Sequence, residues 1–429
     1  MAASPRRQAT TAIAAKFLRR RQAMFSALAM RVGGTALTAV GLVVGVRLLG
    51  AEQFGVSVLT LAVGLIAAFP ATALERLVIR LTATRMNHGA KAVVRLCNVY
   101  CWGLFALTVL GTIAASLHSR EWAYFVAASG TTAVMSSLVT VRQGINRALG
   151  RLFWGQAPNE VFRPLATLAG YVAAHFVAPL STSGSVATLM ASAPTLLLIL
   201  FAPSALHPSS EVTVPELAGD HLSSLRMVTP AMFSLFIISA VAMAIERGYP
   251  LLIATSASSA EVAVFAVGMR IIQLGGFGQA FGTFFYSPQL ALAMRPTRLD
   301  LAKVQRSVRA IRLLGLGTAL PAAVFCIFFP DEIEQLLGGA VDLSDVLVLT
   351  SIAILVGWLG GPTQALLIMA GRERSVAAFY AAGALVSFVI FASVDASAVR
   401  ASMLATTAAY ASWNVAMIVR ARLIYGRLL

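Results

Sequence analysis

Charged side chains inside apolar segments are the features of this sequence that could do chemistry. In "AIERGYPLLIA" (244–254), Glu246 and Arg247 stand side by side in a long apolar run, and Arg31 and Arg270 stand in two others. An ionised group in hydrocarbon costs about 2.5–3.5 kcal/mol, so it is retained where it faces a water-filled cavity or a charged partner. Arginine binds anions through paired, charge-assisted hydrogen bonds. These positions therefore indicate an anion-binding site, or else ion pairs that only hold helices together.

A proline stands close to the charged pair. Consecutive helical residues point about 100° apart, so Glu246 and Arg247 each need a separate partner. Pro250 lacks the N–H that would bond the carbonyl four residues earlier, which is the carbonyl of Glu246. The pattern predicts a kink at Pro250 that leaves this carbonyl facing the charges.

Further charges stand at the ends of apolar segments. "LERLVIR" places Arg76 and Arg80 four residues apart on one helix face, with Glu75 beside them. We interpret Arg76 as an ordinary membrane-flanking residue, Arg80 as a candidate binding residue and Glu75 as a candidate coupling or orienting residue. Glu160 and Arg163 stand just before another apolar segment. They could form another charged pair at the mouth or be loop charges, and we favour loop charges.

The composition sets the surroundings of these charges. Of the 429 residues, 58% are hydrophobic and 12% are charged, and the mean hydropathy is +0.82. A soluble chain carries about 25% charged residues, so this is the composition of a polytopic membrane protein. The net charge of +16 comes mostly from residues that flank apolar segments. It does not form the continuous basic face of a nucleic-acid-binding protein, and we expect no nucleic-acid partner.

The sequence carries no signal for a cofactor or a metal. Cys97, Cys101 and Cys326 all lie inside apolar segments, which argues against a disulfide framework and a metal site. No Walker-type loop and no zinc-ligand spacing occurs. We therefore expect no cofactor, no metal and no use of ATP by this chain.

Twelve apolar segments are long enough to cross a membrane, since a helix needs about 20 residues to do so. They are residues 24–48, 54–75, 96–117, 122–141, 161–179, 184–203, 228–254, 262–287, 311–329, 343–369, 376–394 and 399–419. Lysines and arginines concentrate between alternate segments, which predicts that both termini lie in the cytoplasm.

A polar stretch near the middle of the chain divides the segments into two sets of six. The predicted organisation is a basic N-terminal segment (1–23), a first half (24–204), a linker (205–225), a second half (226–420) and a tail (421–429). "GAEQFGVSVLTLAVGLI" (50–66) and "SAEVAVFAVGMRIIQL" (259–274) form a weak repeat, each with Ala-Glu before an aromatic residue and an apolar run. Two six-helix halves of this kind predict a transporter with a site at their interface.

Several motifs resemble those of the MOP superfamily, specifically the Wzx-like polysaccharide flippases, which move undecaprenyl-pyrophosphate-linked oligosaccharides. They are "RLLGAEQFG" (47–55), "LERLVIR" (74–80), "AIERGYPLLIATSASSAEVAVFAVGMRI" (244–271), "SPQLA" (287–291) and "GGPTQALLIMAGRER" (360–374). The resemblance covers nearly the whole chain. The chain departs from the family at Glu246, where the family usually has Asp, and at Ala263, where it has Gly.

The resemblance implies an all-α integral membrane protein with about twelve helices in two six-helix lobes that form a V-shaped bundle. It also implies alternating access, a lateral gap between the first and eighth helices, and coupling to an ion gradient. In that arrangement Arg31, Arg247 and Arg270 would hold the anionic head of the substrate, with Arg80 at the mouth. Glu246 would orient an arginine or carry the coupling proton.

The expected partners are an undecaprenyl-pyrophosphate-linked glycan, membrane lipids and other polysaccharide-assembly proteins, and the expected location is the bacterial inner membrane. A multidrug exporter of the same superfamily is the nearest alternative, although exporters of organic cations would face arginines of the wrong sign. A membrane glycan polymerase or ligase is a second alternative, but the predicted outer loops are short, so we expect no enzyme activity. An inactive scaffold for glycan assembly is a third.

Overall fold

The described part of the chain folds into helices and contains no strand. The computed structural model describes residues 5–71, 75, 87–148, 156–179, 181–201, 233–294, 300–339 and 343–426. The all-α prediction is confirmed for these residues.

We number the helices in chain order. They are α1 (Pro5–Ala67), α2 (Asn87–Ser116), α3 (Arg120–Ala148), α4 (Arg163–Val177), α5 (Ser183–Phe201), α6 (Phe233–Ser256), α7 (Ser259–Gly275), α8 (Phe277–Ala293), α9 (Leu301–Phe328), α10 (Pro330–Leu336), α11 (Ser344–Gly360), α12 (Thr363–Met369), α13 (Glu373–Ser393) and α14 (Ala398–Tyr425). Each of the twelve predicted apolar segments falls on one or two of these elements.

The first two predicted segments are the two arms of α1, which meet at Gly50. The φ of Gly50 is 75° and its ψ is 163°, a backbone conformation that glycine adopts without a steric penalty. Gly50, within the motif "RLLGAEQFG", therefore forms the kink that joins the two arms without a separate loop.

The predicted segment 262–287 is broken into α7 and α8, which are bent by 48°. Thr318 of α9 fills the break: its hydroxyl donates to the Gly275 carbonyl at 2.8 Å and accepts from the Gly278 N–H at 3.0 Å. The neighbouring helix thus satisfies two backbone groups that would otherwise lack partners in a membrane.

The predicted segment 343–369 is also broken, into α11 and α12. Gly361 has a φ of 46° and ends α11, and Pro362 follows it. The Gln279 side chain of α8 donates to the Gly361 carbonyl at 3.1 Å. The "GGP" motif therefore marks a helix break, which sequence periodicity alone does not reveal.

Seven of the described helical segments are long and apolar enough to cross a membrane, and the number rises to eight if α7 and α8 count as one span. Apolar side chains on their outer faces are exposed, as in Trp102 at 68%, Leu110 at 64% and Phe388 at 65%. Such rows suit contact with lipid chains, so the chain is a multi-pass membrane protein.

Helices of the two halves meet through α1, which packs against α6, α7 and α8. A buried apolar cluster lies across this contact, and we call it the junction cluster. Its buried members are Val46, Leu49, Phe54, Tyr171, Ala174, Val186 and Ala187 of the first half and Ala263, Ala266, Val267, Cys326, Ile333, Leu337, Leu343 and Leu347 of the second. The cluster lies near the Gly50 turn and α10, at the end of the bundle that we call the Gly50 end.

Candidate functional site

A cavity of about 170 Å³ lies between the two halves. The two arms of α1, together with α4 and Asn159 in the π-helical turn before it, form its first-half wall. Residues of α6 and α7 form its second-half wall. The cavity therefore lies where the sequence predicted a site, at the interface of the two sets of helices.

Four charged residues line this cavity: Arg163, Glu246, Arg247 and Arg270. The three arginines come from three different helical segments and are close enough for their charges to act on one another. One of them is held in place, because Arg270 donates to the side-chain oxygen of Gln273 at 2.9 Å. Three arginines against one glutamate give the cavity wall a positive charge.

Two π-helical turns carry charges beside the cavity. One runs from Ala244 to Gly248 within α6 and contains Glu246 and Arg247. The other runs from Pro158 to Phe162, immediately before α4, and contains Glu160.

The structure has the Ala244–Gly248 turn at the place where the sequence predicted a kink. A buried proline follows each turn by two residues, Pro250 in α6 and Pro164 in α4. Because proline cannot donate a backbone hydrogen bond, the wider turn is one way for the helix to accommodate it. Turns of this kind occur frequently at functional sites.

Neutral polar and aromatic side chains complete the wall. Asn159, Gln273 and Tyr171 line the cavity beside the arginines, and Phe54 lies next to Tyr171 with the two ring centroids 6.0 Å apart. The wall thus offers hydrogen-bond donors and acceptors and flat apolar faces in addition to positive charge.

Arg247, Arg270 and Glu246, all chosen from the sequence, share this cavity, whereas Arg31 lies beside it. The Arg31 Nε is 3.6 Å from a carboxylate oxygen of Glu160, and the guanidinium lies 6.0 Å from the centre of the Phe284 ring on α8. Arg31 therefore lies next to α8, on the side of α1 that faces the predicted lateral gap.

Glu75 does not line the cavity. Glu75 lies against Gly144 of α3, because a Cβ added to Gly144 would come 3.0 Å from the Glu75 Cγ. Arg80 and its neighbour Arg76 lie outside the described residues. Their assignment to the mouth of the cavity stays a prediction.

Arg163 is the cavity residue that the sequence interpretation missed. It was interpreted with Glu160 as a loop charge, but Arg163 is the first residue of α4 and Glu160 lies on the π-helical turn before it. A signal was present: an acid and an arginine three residues apart, followed by Pro164, resemble the charged pair and proline of α6.

In the described part of the chain, no group of three or more His, Cys, Asp or Glu side chains could hold a metal ion. The three cysteines are buried and unbridged. The chemistry of the cavity is thus the chemistry of its charged, amide and aromatic side chains.

No family model and no curated protein matches this sequence. Solved structures do match over nearly their whole length. One is the MATE multidrug transporter DinF-BH, with 15% identity, a TM-score of 0.57 and coverage of 95% of this chain and 96% of that chain. The chain has a MATE-type fold.

Two more neighbours with the MATE-type fold show opposite conformations of a multidrug resistance MATE family transporter of the MOP superfamily. The inward-facing one has 16% identity, a TM-score of 0.56 and coverage of 95% and 94% of the two chains. The outward-facing one has 15% identity, a TM-score of 0.57 and coverage of 95% and 96%.

Proposed function

We propose that this protein is a membrane transporter that moves an amphipathic anion through the cavity between its halves by alternating access. The observation that carries the proposal is the set of three arginines, Arg163, Arg247 and Arg270, at the interface of the halves. In the MATE-type fold of the neighbours, whole structures are known facing inward and outward. A site between two halves that move in this way can be opened to each side of the membrane in turn.

The substrate class follows from the sign of the charge. Guanidinium groups bind phosphate oxygens in pairs, and these hydrogen bonds gain strength where water is excluded. A pyrophosphate offers several such oxygens, enough for arginines that come from three helical segments. An organic cation would be repelled by the same three side chains.

Within this class we propose an undecaprenyl-pyrophosphate-linked oligosaccharide as the substrate. Asn159, Gln273 and Tyr171 offer hydrogen bonds and an aromatic face to sugars, and Arg31 lies at the side of α1 next to α8, where a lipid tail could remain in the bilayer. Pockets for drug-sized ligands measure roughly 300–1,000 Å³. The present cavity of about 170 Å³ therefore has room for the phosphates, and the sugars require a wider opening.

The proposal includes the setting of the transporter. We place it in the bacterial inner membrane with both termini in the cytoplasm, among proteins that assemble surface polysaccharides. Coupling to an ion gradient belongs to the same proposal, with Glu246 as the candidate proton carrier or orienting group.

Multidrug export is the second candidate function, and the comparisons favour it. The neighbours with this fold are described as multidrug transporters. Glu246 offers a negative charge in the cavity for a cationic compound. The charge of the wall as a whole favours the anion.

Reconstituted protein tests the two candidates directly. In proteoliposomes, the wild type should translocate a fluorescent undecaprenyl-pyrophosphate-linked disaccharide, measured as protection from a membrane-impermeant quencher. Hydrogen bonds to a charged group are worth about 1.5–3 kcal/mol, so Arg163→Gln, Arg247→Gln and Arg270→Gln should each slow translocation by roughly tenfold or more.

The matched control is Arg120→Gln, which removes an exposed arginine at the start of α3, outside the cavity. It should translocate at the wild-type rate. Transport of an organic cation that is lost in Glu246→Gln and kept in the three cavity variants would instead establish the multidrug function.

A further inference from the structure

Arg47 connects the two halves at the Gly50 end. It lies three residues before Gly50 on the first arm of α1, yet its side chain reaches the second half. The Arg47 Nε donates to the Leu336 carbonyl at 2.9 Å, and a terminal nitrogen of the same guanidinium donates to the Gln335 carbonyl at 2.9 Å.

The acceptors are the last carbonyls of α10, a short helix between α9 and α11. The final carbonyls of a helix carry the negative end of its dipole. A carbonyl oxygen can accept two hydrogen bonds, and that of Gln335 also accepts from the Gly338 N–H at 2.9 Å. Arg47 supplies both a positive charge and two donors at this place. Gly338 borders the Arg47 side chain, since a Cβ added there would be in van der Waals contact with the Arg47 Cγ at 3.5 Å, and its φ of 83° favours glycine.

Apolar contacts lie behind this connection. The junction cluster contains Val46 and Leu49, on either side of Arg47 in sequence. It also contains Ile333 in the middle of α10 and Leu337 just after that helix. Together the hydrogen bonds and the cluster connect the two halves at the Gly50 end. This cluster excludes water between the halves.

We propose that Arg47 and the Gln335 and Leu336 carbonyls form a latch that holds the Gly50 end shut and must open in every transport cycle. The proposal rests on alternating access, as set out above. Two halves can separate at this end only if hydrogen bonds between them break. Bonds within one half can persist, such as the one between the His175 ring and the Leu48 carbonyl at 2.9 Å.

The latch requires arginine in particular. Two carbonyls of successive residues accept from two nitrogens of one planar group, and a lysine ammonium is a single point donor that does not reproduce this fork. We therefore expect Arg47→Lys to hold the end shut less firmly than the wild type, and Arg47→Ala to release it.

A native cysteine reports on the latch. Cys326 belongs to the junction cluster and is 2% exposed, so a hydrophilic maleimide should modify it only when the Gly50 end opens. In a Cys97→Ser, Cys101→Ser background, purified protein is incubated with the maleimide and labelling is followed by mass. We expect Arg47→Ala to accelerate labelling about tenfold and Arg47→Lys to give an intermediate rate.

Arg400→Ala is the matched control. Arg400 is an exposed arginine of α14, and it pairs with Asp345 of α11 at 3.6 Å, a contact within the second half. Its loss should leave the labelling rate unchanged. Equal rates in the wild type, Arg47→Ala and Arg400→Ala would overturn the proposal, as would equal acceleration by Arg47→Ala and Arg400→Ala.

The measurement remains decisive if one variant does not fold. Should Arg47→Ala fail to purify, Arg47→Lys alone decides: a rate above the wild type supports the latch and an unchanged rate overturns it. Labelling needs no substrate, so the two proposals can fail separately. If Arg47→Ala accelerates labelling but the wild type transports no substrate, the proposed function is wrong and the latch stands.

Discussion

At the scale of single residues, the arginines near the cavity differ in what fixes them. Arg270 donates to Gln273, one turn further along its own helix. Arg31 on α1 instead pairs with Glu160, which lies in the π-helical turn before α4. The amide that holds Arg270 is neutral, so this contact does not compensate the guanidinium charge. An arginine beside a carboxylate has part of its charge compensated, so we expect Arg270 to contribute more to anion binding than Arg31.

Gly55 gives the sharpest prediction at this scale. A Cβ added to Gly55 would lie 1.7 Å from the Ser259 carbonyl oxygen, so Gly55→Ala must push α7 away from the second arm of α1. Overpacking of this kind costs about 1–3 kcal/mol. The Ser259 carbonyl belongs to the backbone, so it cannot rotate aside as a side chain could. The midpoint of thermal unfolding in detergent should fall.

Gly103→Ala is the control for Gly55→Ala. Nothing lies within 4 Å of a Cβ added to Gly103 on α2, and alanine is the better helix former by about 1 kcal/mol. This variant should unfold at the wild-type temperature or above it. Equal midpoints for the two alanine variants would contradict the close contact at Gly55.

At the scale of elements, the interruptions in the helices place charged side chains beside the cavity and connect neighbouring helices. The π-helical turns lie next to the cavity, and the two breaks in the second half are bridged by side chains of neighbouring helices, Thr318 and Gln279. A break in a membrane helix persists only if another group satisfies the freed backbone. The breaks are therefore properties of packed pairs of helices.

Thr318→Val tests the break between α7 and α8. Valine has the shape of threonine but leaves the Gly275 carbonyl and the Gly278 N–H without their partner, at a cost of about 1–3 kcal/mol. Thr318→Ser keeps the hydroxyl. We expect a clear fall in the thermal midpoint for valine and a small one for serine. A valine variant with the wild-type midpoint, or one that is more stable than the serine variant, would contradict this role of the hydroxyl.

At the scale of the whole molecule, the positive charges around the cavity are divided between the two halves. Arg163 belongs to the first half, and Arg247 and Arg270 belong to the second. Without a ligand these like charges repel one another across the interface. An anion between them would replace that repulsion with contacts to both halves.

Inorganic pyrophosphate should therefore stabilise the folded protein. A ligand at one hundred times its dissociation constant contributes about 2.7 kcal/mol. The thermal midpoint should rise with pyrophosphate, and it should rise much less with sodium chloride of the same ionic strength. The rise should disappear in Arg163→Gln/Arg247→Gln/Arg270→Gln and remain in Arg120→Gln. An equal rise in the triple variant would place the bound anion outside the cavity.

The sequence by itself determined the membrane class, the helical segments and the anomalous charges, because the cost of placing a charge or a polar backbone in hydrocarbon is set locally. It therefore identified Arg247, Arg270 and Glu246. Tertiary structure alone decided which charges share a cavity. Arg163 lines it and Arg31 lies beside it, because these positions depend on how helices distant in sequence pack. The same holds for the break at Gly276, since the groups that satisfy it belong to another helix.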